Sequence, residues 1–413
     1  MNFEFYIAKR LIKGKEHKIS ISAPIIKIAI AAIAIGLVMM LIAIGTSVGL
    51  KHKIREKVSA FNGHIQISNY DNNRSEVSVA PIPIAQNFYP EFTTVDAVAH
   101  VQAVATKAGV IRTEETFDTF IAKGVGEDYN WTVFEEYLVA GSLPKYSGEI
   151  NEEALMSVLM ANRLRLQVGD TFYALFPKKE AALKSPNQRK FTLTGTYNSG
   201  FEELDNKYIF IDLRHIQRMN RWKPTEVGSF EVFLDDFRDL DVKGKEIYGK
   251  TLSNLDTRTI KDTYAQIFEW MELFDFNTAL IIGIMIIVGG INMITALLVL
   301  ILERTQMIGI LKALGSANWS IRKVFLYNAA YLISIGLFWG NLIGLGLLFL
   351  QQQFQLFKFP NPEEYYIDYI PVHLDLMTVV FLNIGVLVLC LLMLLIPSYI
   401  ITKITPVRAI KFE

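Results

Sequence analysis

The chain has 413 residues, 51% of them hydrophobic, and its 41 Lys and Arg balance its 41 Asp and Glu. This apolarity excludes a disordered chain and fits an ordinary soluble domain poorly. Net charge is silent on nucleic acid, and no nucleic-acid partner is expected.

Four windows carry no charge: 28–50, 277–302, 324–357 and 376–402. Each is at least 23 residues long, and ~20 helical residues cross the hydrocarbon core of a bilayer. The expected fold is an integral membrane α-helical bundle of four transmembrane helices. A large α+β extracytoplasmic domain is inserted between helices 1 and 2.

In chain order, residues 1–24 form a basic segment with Lys9, Arg10, Lys13, Lys15 and Lys18. Residues 25–50 are the first span, read as an uncleaved anchor because no small-residue cleavage site follows it. Gly45 and Gly49 in it are four apart and share a face, so another backbone can approach closely. Lys51, Lys53, Arg55 and Lys57 follow on the outer side, against the usual charge rule, but long domains translocate largely regardless of charge. That stretch is read as a stalk continuing the first helix.

Residues 51–272 are the outer domain, with strand and helix signals mixed. A strand begins near His64. Thr94 is expected to cap a helix carrying Val98, Val101 and Ala105 and closed by Gly109. Strands are expected over 110–125, a helix over 152–166, and paired strands at 171–176 and 190–197. A strand at 207–212, a helix at 213–220, a strand at 229–234 and a helix near 236–249 follow. The Pro-rich stretch 81–90 is read as a connection between two subdomains. The single cysteine, Cys390, lies within a span, so no disulfide inside the chain can staple this domain.

Residues 274–302 are the second span. The connection 303–323 is compact and basic, with Arg304, Lys312, Arg322 and Lys323. In it Met307, Ile308, Leu311 and Leu314 share one helical face. Arg304, Thr305 and Lys312 are its polar complement, and Gly315 suits a left-handed C-terminal position. On pattern alone this is either an ordinary basic loop or a helix that carries force. The third span, 324–354, holds Gly336, Gly340 and Gly344, a second close-packing stripe for another span or a second subunit. The loop 355–375 has one lysine, Lys358, against Glu363, Glu364, Asp368 and Asp375. The fourth span, 376–401, leads to the tail 402–413 with Lys403, Arg408 and Lys411. The Lys/Arg bias puts both termini and the 303–323 loop in the cytoplasm. No acid, Lys or Arg lies deep in a span, which argues against an ion or proton pathway.

Some motifs mislead. Gly244 to Thr251 formally matches a phosphate-binding loop, but it overlaps an expected helix and lacks the strand–loop–helix setting that motif needs. The six histidines are scattered, with no metal-ligand spacing. Asn73-Arg74-Ser75 and Asn130-Trp131-Thr132 fit a glycosylation pattern that is common by chance. No catalytic constellation and no metal or cofactor site is expected.

The run Glu303-Arg304-Thr305, then Ile308-Gly309-Ile310-Leu311-Lys312-Ala313-Leu314-Gly315, resembles the signature of FtsX-like ABC permeases. The resemblance implies that Glu303, Arg304, Thr305, Met307, Ile308, Gly309, Leu311, Lys312, Leu314 and Gly315 couple to a separate ABC ATPase subunit. That subunit would hold the ATP and Mg. Many members carry an acidic residue where this chain has Met307.

Phe61-Asn62-Gly63-His64-Ile65, Lys123-Gly124-Val125, Gly141-Ser142-Leu143-Pro144 and Gly195 to Gly200 with Glu203 and Asp205 extend the likeness. With Pro406-Val407-Arg408-Ala409-Ile410, they resemble the lipoprotein-releasing permeases (LolC/LolE type). That resemblance implies a non-catalytic subunit in a bacterial inner membrane, with a periplasmic domain of two subdomains. The implied partners are a second permease subunit (itself or a paralogue), lipoprotein cargo, membrane lipid and a periplasmic lipoprotein chaperone. The chaperone would be hooked by the connection from Phe176 to Phe191, with Pro186, Gln188 and Arg189 nearest the family pattern. The bland reading of that connection is a solvated basic hairpin with Lys178, Lys179, Lys184, Arg189 and Lys190. Tyr365 to Pro371 is read as an interfacial aromatic anchor. Two other functions stay open: an efflux permease for peptides or drugs, and an FtsX-type scaffold relaying ATPase motion to a cell-wall hydrolase.

Overall fold

The computed structural model describes residues 3–13, 22–72, 75–113, 116–178, 186–358 and 369–405. Lys15, Lys18, Asn73-Arg74, Lys179, Lys184, Tyr365 to Asp368 and Pro406 to Ile410 lie outside them. Four helical stretches are long and apolar enough to cross a membrane: Ser22–Asn62, Ala265–Glu303, Asn318–Phe354 and Leu376–Lys403. The chain divides into two compact units, one made of the spans and one, Lys53–Glu269, inserted between the first and second.

In the span unit the glycine stripe of the third span lies against the first. A Cβ at Gly336 would sit 2.8 Å from Ile33 Cγ2, and one at Gly344 2.8 Å from Leu41 Cδ1. At Gly340 it would meet Leu37 Cβ at 2.9 Å and the Ala34 carbonyl oxygen at 3.0 Å. Only residues without a side chain allow this approach. Gly45 meets both Leu348 of the third span and Leu374 of the extended chain before the last span, and His373 N–H in that chain donates to the Gly45 carbonyl at 3.0 Å. A Cβ at Gly49 would run into the backbone of Pro371. Spans three and four are joined by reciprocal amides: Asn341 Nδ2 donates to Asn383 Oδ1 at 2.7 Å, and Asn383 Nδ2 to Asn341 Oδ1 at 3.1 Å. Each amide also donates to a carbonyl one turn back, Leu337 or Val379. Both donors of each side chain are thereby satisfied in a region where water supplies none.

The inserted domain is α+β. Its strands are β1 (Ile65–Asn69), β2 (Ile82–Pro83), β3 (Val98–Arg112), β4 (Phe117–Val125), β5 (Leu138–Gly141), β6 (Glu153–Ser157), β7 (Thr171–Phe176), β8 (Asn187–Tyr197), β9 (Tyr208–Asp212), β10 (Glu226–Val227), β11 (Ser229–Leu234) and β12 (Leu255–Thr259). Ten of them form one mixed sheet in the order β12-β1-β11-β3-β4-β9-β6-β8-β5, with β7 pairing β3 and β8. The β4–β9 and β6–β8 pairs are parallel. Among the described residues these ten strands form one continuous sheet.

Two expected helices are corrected. Residues 94–109 form no helix, because 98–112 is the long central strand β3, paired to β11 and β4. Val101 to Ala105 are buried at every position. A strand covered on both faces loses its alternation, and Val98, Val101 and Ala105 then mimic a helical face. Residues 153–157 are likewise a buried strand, and the helix starts only at Val158, where Ser157 Oγ caps Met160 N–H at 3.0 Å. The phosphate-loop look-alike lies on the helix Leu240–Lys250 and its end, with no strand leading into it.

The last turn of the first long helix is built into this domain. Phe61 is fully buried, its ring 4.9 Å from Phe134 and 5.6 Å from Tyr197. The Phe61 carbonyl, orphaned at the helix end, accepts from Lys123 Nζ. Lys123 is itself buried and paired with Glu231, at 2.6 Å to Oε1 and 2.9 Å to Oε2. Gln102 Nε2 donates to the same carboxylate at 2.9 Å. Burial pulls the Lys123 pKa down, and the Glu231 charge opposes that pull.

Candidate functional site

The connection between spans two and three is a second, short helix, Thr305–Ala313. The long helix breaks at Arg304, and Thr305 Oγ1 turns back to donate to the Leu302 carbonyl at 2.7 Å and the Ile301 carbonyl at 3.2 Å. Its hydroxyl thus satisfies groups that the helix end leaves open. The short helix ends at Gly315, with φ +86°. Gly315 N–H donates to the Lys312 carbonyl and Ser316 N–H to the Leu311 carbonyl, both at 3.0 Å. These two bonds make a Schellman closure, which needs a left-handed residue at that position. Nothing lies near a Cβ built on Gly315, so backbone conformation alone demands the glycine.

One side of this helix is sunk into the span unit. Ile308 is fully buried in a cluster with Ile301, Ile321, Phe325 and Ile401, and Met307 and Leu311 pack on its edge. Gly309 is buried beside Ile308. Leu314 departs from its expected place: it is the C-cap rather than a helical residue, and it is 77% exposed. Ile310 is 48% exposed, and Gln306 and Ala313 are exposed with it. This outward apolar side was missed because the period places Leu314 near Met307. The signal that could have found it is the cap: Gly315 closes the helix right after Leu314, which leaves Leu314 at its exposed end beside Ile310. Glu303 is exposed and Arg304 half-buried at the break.

Lys312 points neither into the core nor straight out. Its Nζ donates to the carbonyls of Ile401 and Ile404, both at 2.7 Å, and of Thr402 at 3.2 Å. Desolvation lowers its pKa from the ordinary lysine value. Arg322, near the start of the helix Asn318–Phe354, donates from Nε to Ser398 Oγ and from Nη2 to the Leu395 carbonyl, both at 3.0 Å. Its guanidinium lies over the rings of Trp319 and Tyr399, 5.1 and 5.8 Å from their centroids.

The candidate hook belongs to the inserted domain. Strands β7 and β8 pair antiparallel, with Gln188 opposite Leu175 and Arg189 opposite Ala174. Pro186 and Gln188 are exposed and Arg189 is half-buried. The tip between them, 179–185, lies outside the described residues. The hook and the short helix therefore belong to different units.

In the inserted domain Asp205 is buried and accepts from Ser199 Oγ at 2.6 Å. Burial raises its pKa to about 6, against the pull of Ser199 and Lys57. His64 accepts from Leu234 N–H at Nδ1, 2.8 Å away, and burial lowers its pKa to about 4.

Residues 279–406 match the family described as FtsX-like permease C-terminal. Over the full length of both chains, the protein is 24% identical to the lipoprotein-releasing system transmembrane protein LolC of Haemophilus influenzae. It is 22% identical to LolE of the same organism, with 99% of each chain covered. Among solved structures, the periplasmic region of MacB from Actinobacillus actinomycetemcomitans aligns with 51% of this chain and 95% of its own, at 16% identity and a TM-score of 0.33. Residues 279–406 thus carry an FtsX-like permease C-terminal domain, and the chain is similar from end to end to the transmembrane proteins of the lipoprotein-releasing system.

Proposed function

We propose that this chain is the membrane subunit of an ABC complex that releases lipoproteins from a bacterial inner membrane toward a periplasmic chaperone. The observation that carries the reading is the short helix Thr305–Ala313, rooted in the span core by Ile308 and presenting Ile310 and Leu314 outward. In this reading the outward side docks on a cytoplasmic ABC ATPase, which binds ATP and Mg and does all the hydrolysis. Ile308, Met307 and Leu311 pass the push into the spans. Glu303, Arg304 and Thr305 form the break that lets the short helix turn against the second span. The basic flanks favour a cytoplasmic position for this loop and both termini, and with it a periplasmic inserted domain. A second permease subunit, a copy or a paralogue, completes the transporter.

Energetics favour a powered device. Each acyl CH₂ taken from lipid costs ~0.8 kcal/mol, so several chains do not leave a bilayer unaided. Pro186, Gln188 and Arg189, at the root of the β7–β8 hairpin, take the chaperone-hook role in this reading. The test is reconstitution of the permease with its ATPase and a triacylated lipoprotein in proteoliposomes. The reading expects ATP-dependent appearance of lipoprotein in the soluble fraction when a chaperone is supplied. Hydrolysis with no release, together with stable capture of a wall hydrolase, favours the scaffold instead.

A further inference from the structure

We infer that Lys312 and Arg322 clamp the loop helix to the end of the last span, so that Lys312 is a positioning residue on the force path rather than a contact for the ATPase. The inference rests on the docking reading of the loop and adds where the push is delivered.

The end of the last span needs partners. Its helix Leu376–Ser398 contains Pro397, which has no N–H to give the preceding turn. A single further turn, Ile400–Lys403, then stops. The last carbonyls of a helix have no partner within it and form its electronegative end. Lys312, 89 to 92 residues earlier in the chain, donates to the carbonyls of Thr402 and Ile404 and adds a second donor to that of Ile401, which also accepts from Ile404 N–H at 3.4 Å. An ammonium has three donors, and these three carbonyls occupy them all. Nothing remains on Lys312 for a carboxylate of another protein.

Arg322 takes hold one turn earlier. It binds Leu395 and Ser398, on either side of Pro397, from the start of the helix Asn318–Phe354. The two ends of one short loop thus grip residues 395–404 of the same span. The outward side of the loop helix, with Ile310 and Leu314, stays uncommitted. Docking and transmission are carried by different side chains on one short helix. The span so gripped is also the least enclosed within its unit. Only 17% of its most apolar stretch is buried, against 33% to 50% for the other three. A span with few packed neighbours can shift at small cost in contacts.

The experiment compares wild type, Lys312→Met, Lys312→Arg and Leu314→Asp in the full complex. It reads ATPase retained in mild detergent, lipoprotein released per ATP hydrolysed, and amide exchange over residues 399–405. Lys312→Met should retain the ATPase as wild type does and release at least tenfold less per ATP. Its exchange over 399–405 should rise about two- to fivefold, as expected for a cation lost from a helix end. Lys312→Arg should restore both values, and Leu314→Asp should strip the ATPase while leaving the exchange unchanged. Loss of the ATPase from Lys312→Met would make Lys312 a docking contact and overturn the clamp, with the docking reading intact. Normal release per ATP in Lys312→Met overturns it as well. If even wild type retains no ATPase, the docking reading falls, and the exchange result still decides whether the clamp exists.

Discussion

The helix Ser22–Asn62 and the short turn Ile400–Lys403 both give terminal carbonyls to a lysine, in opposite surroundings. Lys123 is buried with Glu231, Gln102 and the Phe61 carbonyl around it. Lys312 is only half-buried, and its partners among the described residues are carbonyls. A buried pair that loses one member leaves a charge with no water to solvate it. A half-buried ammonium that loses its carbonyls finds water at once. The first joint is therefore costly to open, and the second is cheap to open.

The largest expected effect breaks the first joint. Lys123→Met strands Glu231 and should destabilise the inserted domain by about 3–5 kcal/mol. Limited proteolysis of the full-length protein should show the domain degraded at a temperature where wild type is intact. Lys123→Met with Glu231→Leu should recover most of that loss, since an apolar pair of similar volume is often neutral. If the double variant is as labile as the single one, the Phe61 carbonyl matters more than the stranded charge.

Buried charge without a full counter-ion sharpens the comparison next. Asp205, with a folded pKa of about 6, contributes stability that is present below the unfolded value, ~3.9, and lost as pH rises through 6. His64, with a folded pKa of about 4, contributes stability present above its unfolded value, ~6.5, and lost as pH falls toward 4. The two oppose each other between these limits. Asp205→Asn removes the gain on acidification, up to about 3 kcal/mol. Its melting temperature should therefore fall more steeply than that of wild type between pH 7 and pH 5. Parallel slopes would contradict a raised Asp205 pKa.

The spans should answer by geometry. Gly340→Ala drives a methyl toward Leu37 Cβ and the Ala34 backbone, and overpacking of this kind costs about 1–3 kcal/mol. Gly344→Ala meets chiefly the end of the Leu41 side chain, which can rotate away, so it should cost less. Thermal unfolding in detergent ranks the two, and the reverse order would contradict the first-to-third span packing. Smallest is Lys312→Met, where loss of a cation at a helix end costs about 0.3–1 kcal/mol. Its melting temperature should barely move.

The apolar windows made the spans readable, because no soluble fold needs four charge-free runs of that length. Gly315 was readable because its neighbours demand a left-handed residue. Strand β3 was not readable, since burial on both faces erases its alternation. Gly49 carries the spacing of a helix seam, yet it faces an extended chain that no local pattern announces. Lys123 and Lys312 stand in runs that resemble family motifs, but nothing in the sequence says what either one binds. Their roles come from carbonyls about sixty and ninety residues away, a separation at which side-chain spacing carries no information.

The most direct measurement is gentle detergent purification of the tagged protein, wild type and Ile310→Asp with Leu314→Asp, with mass spectrometry of everything retained. The account predicts an ABC ATPase and triacylated proteins with wild type. It predicts loss of the ATPase alone from the double variant. Wild type retaining no ATPase, or both proteins retaining it equally, would contradict the claim that this short helix couples the permease to its motor.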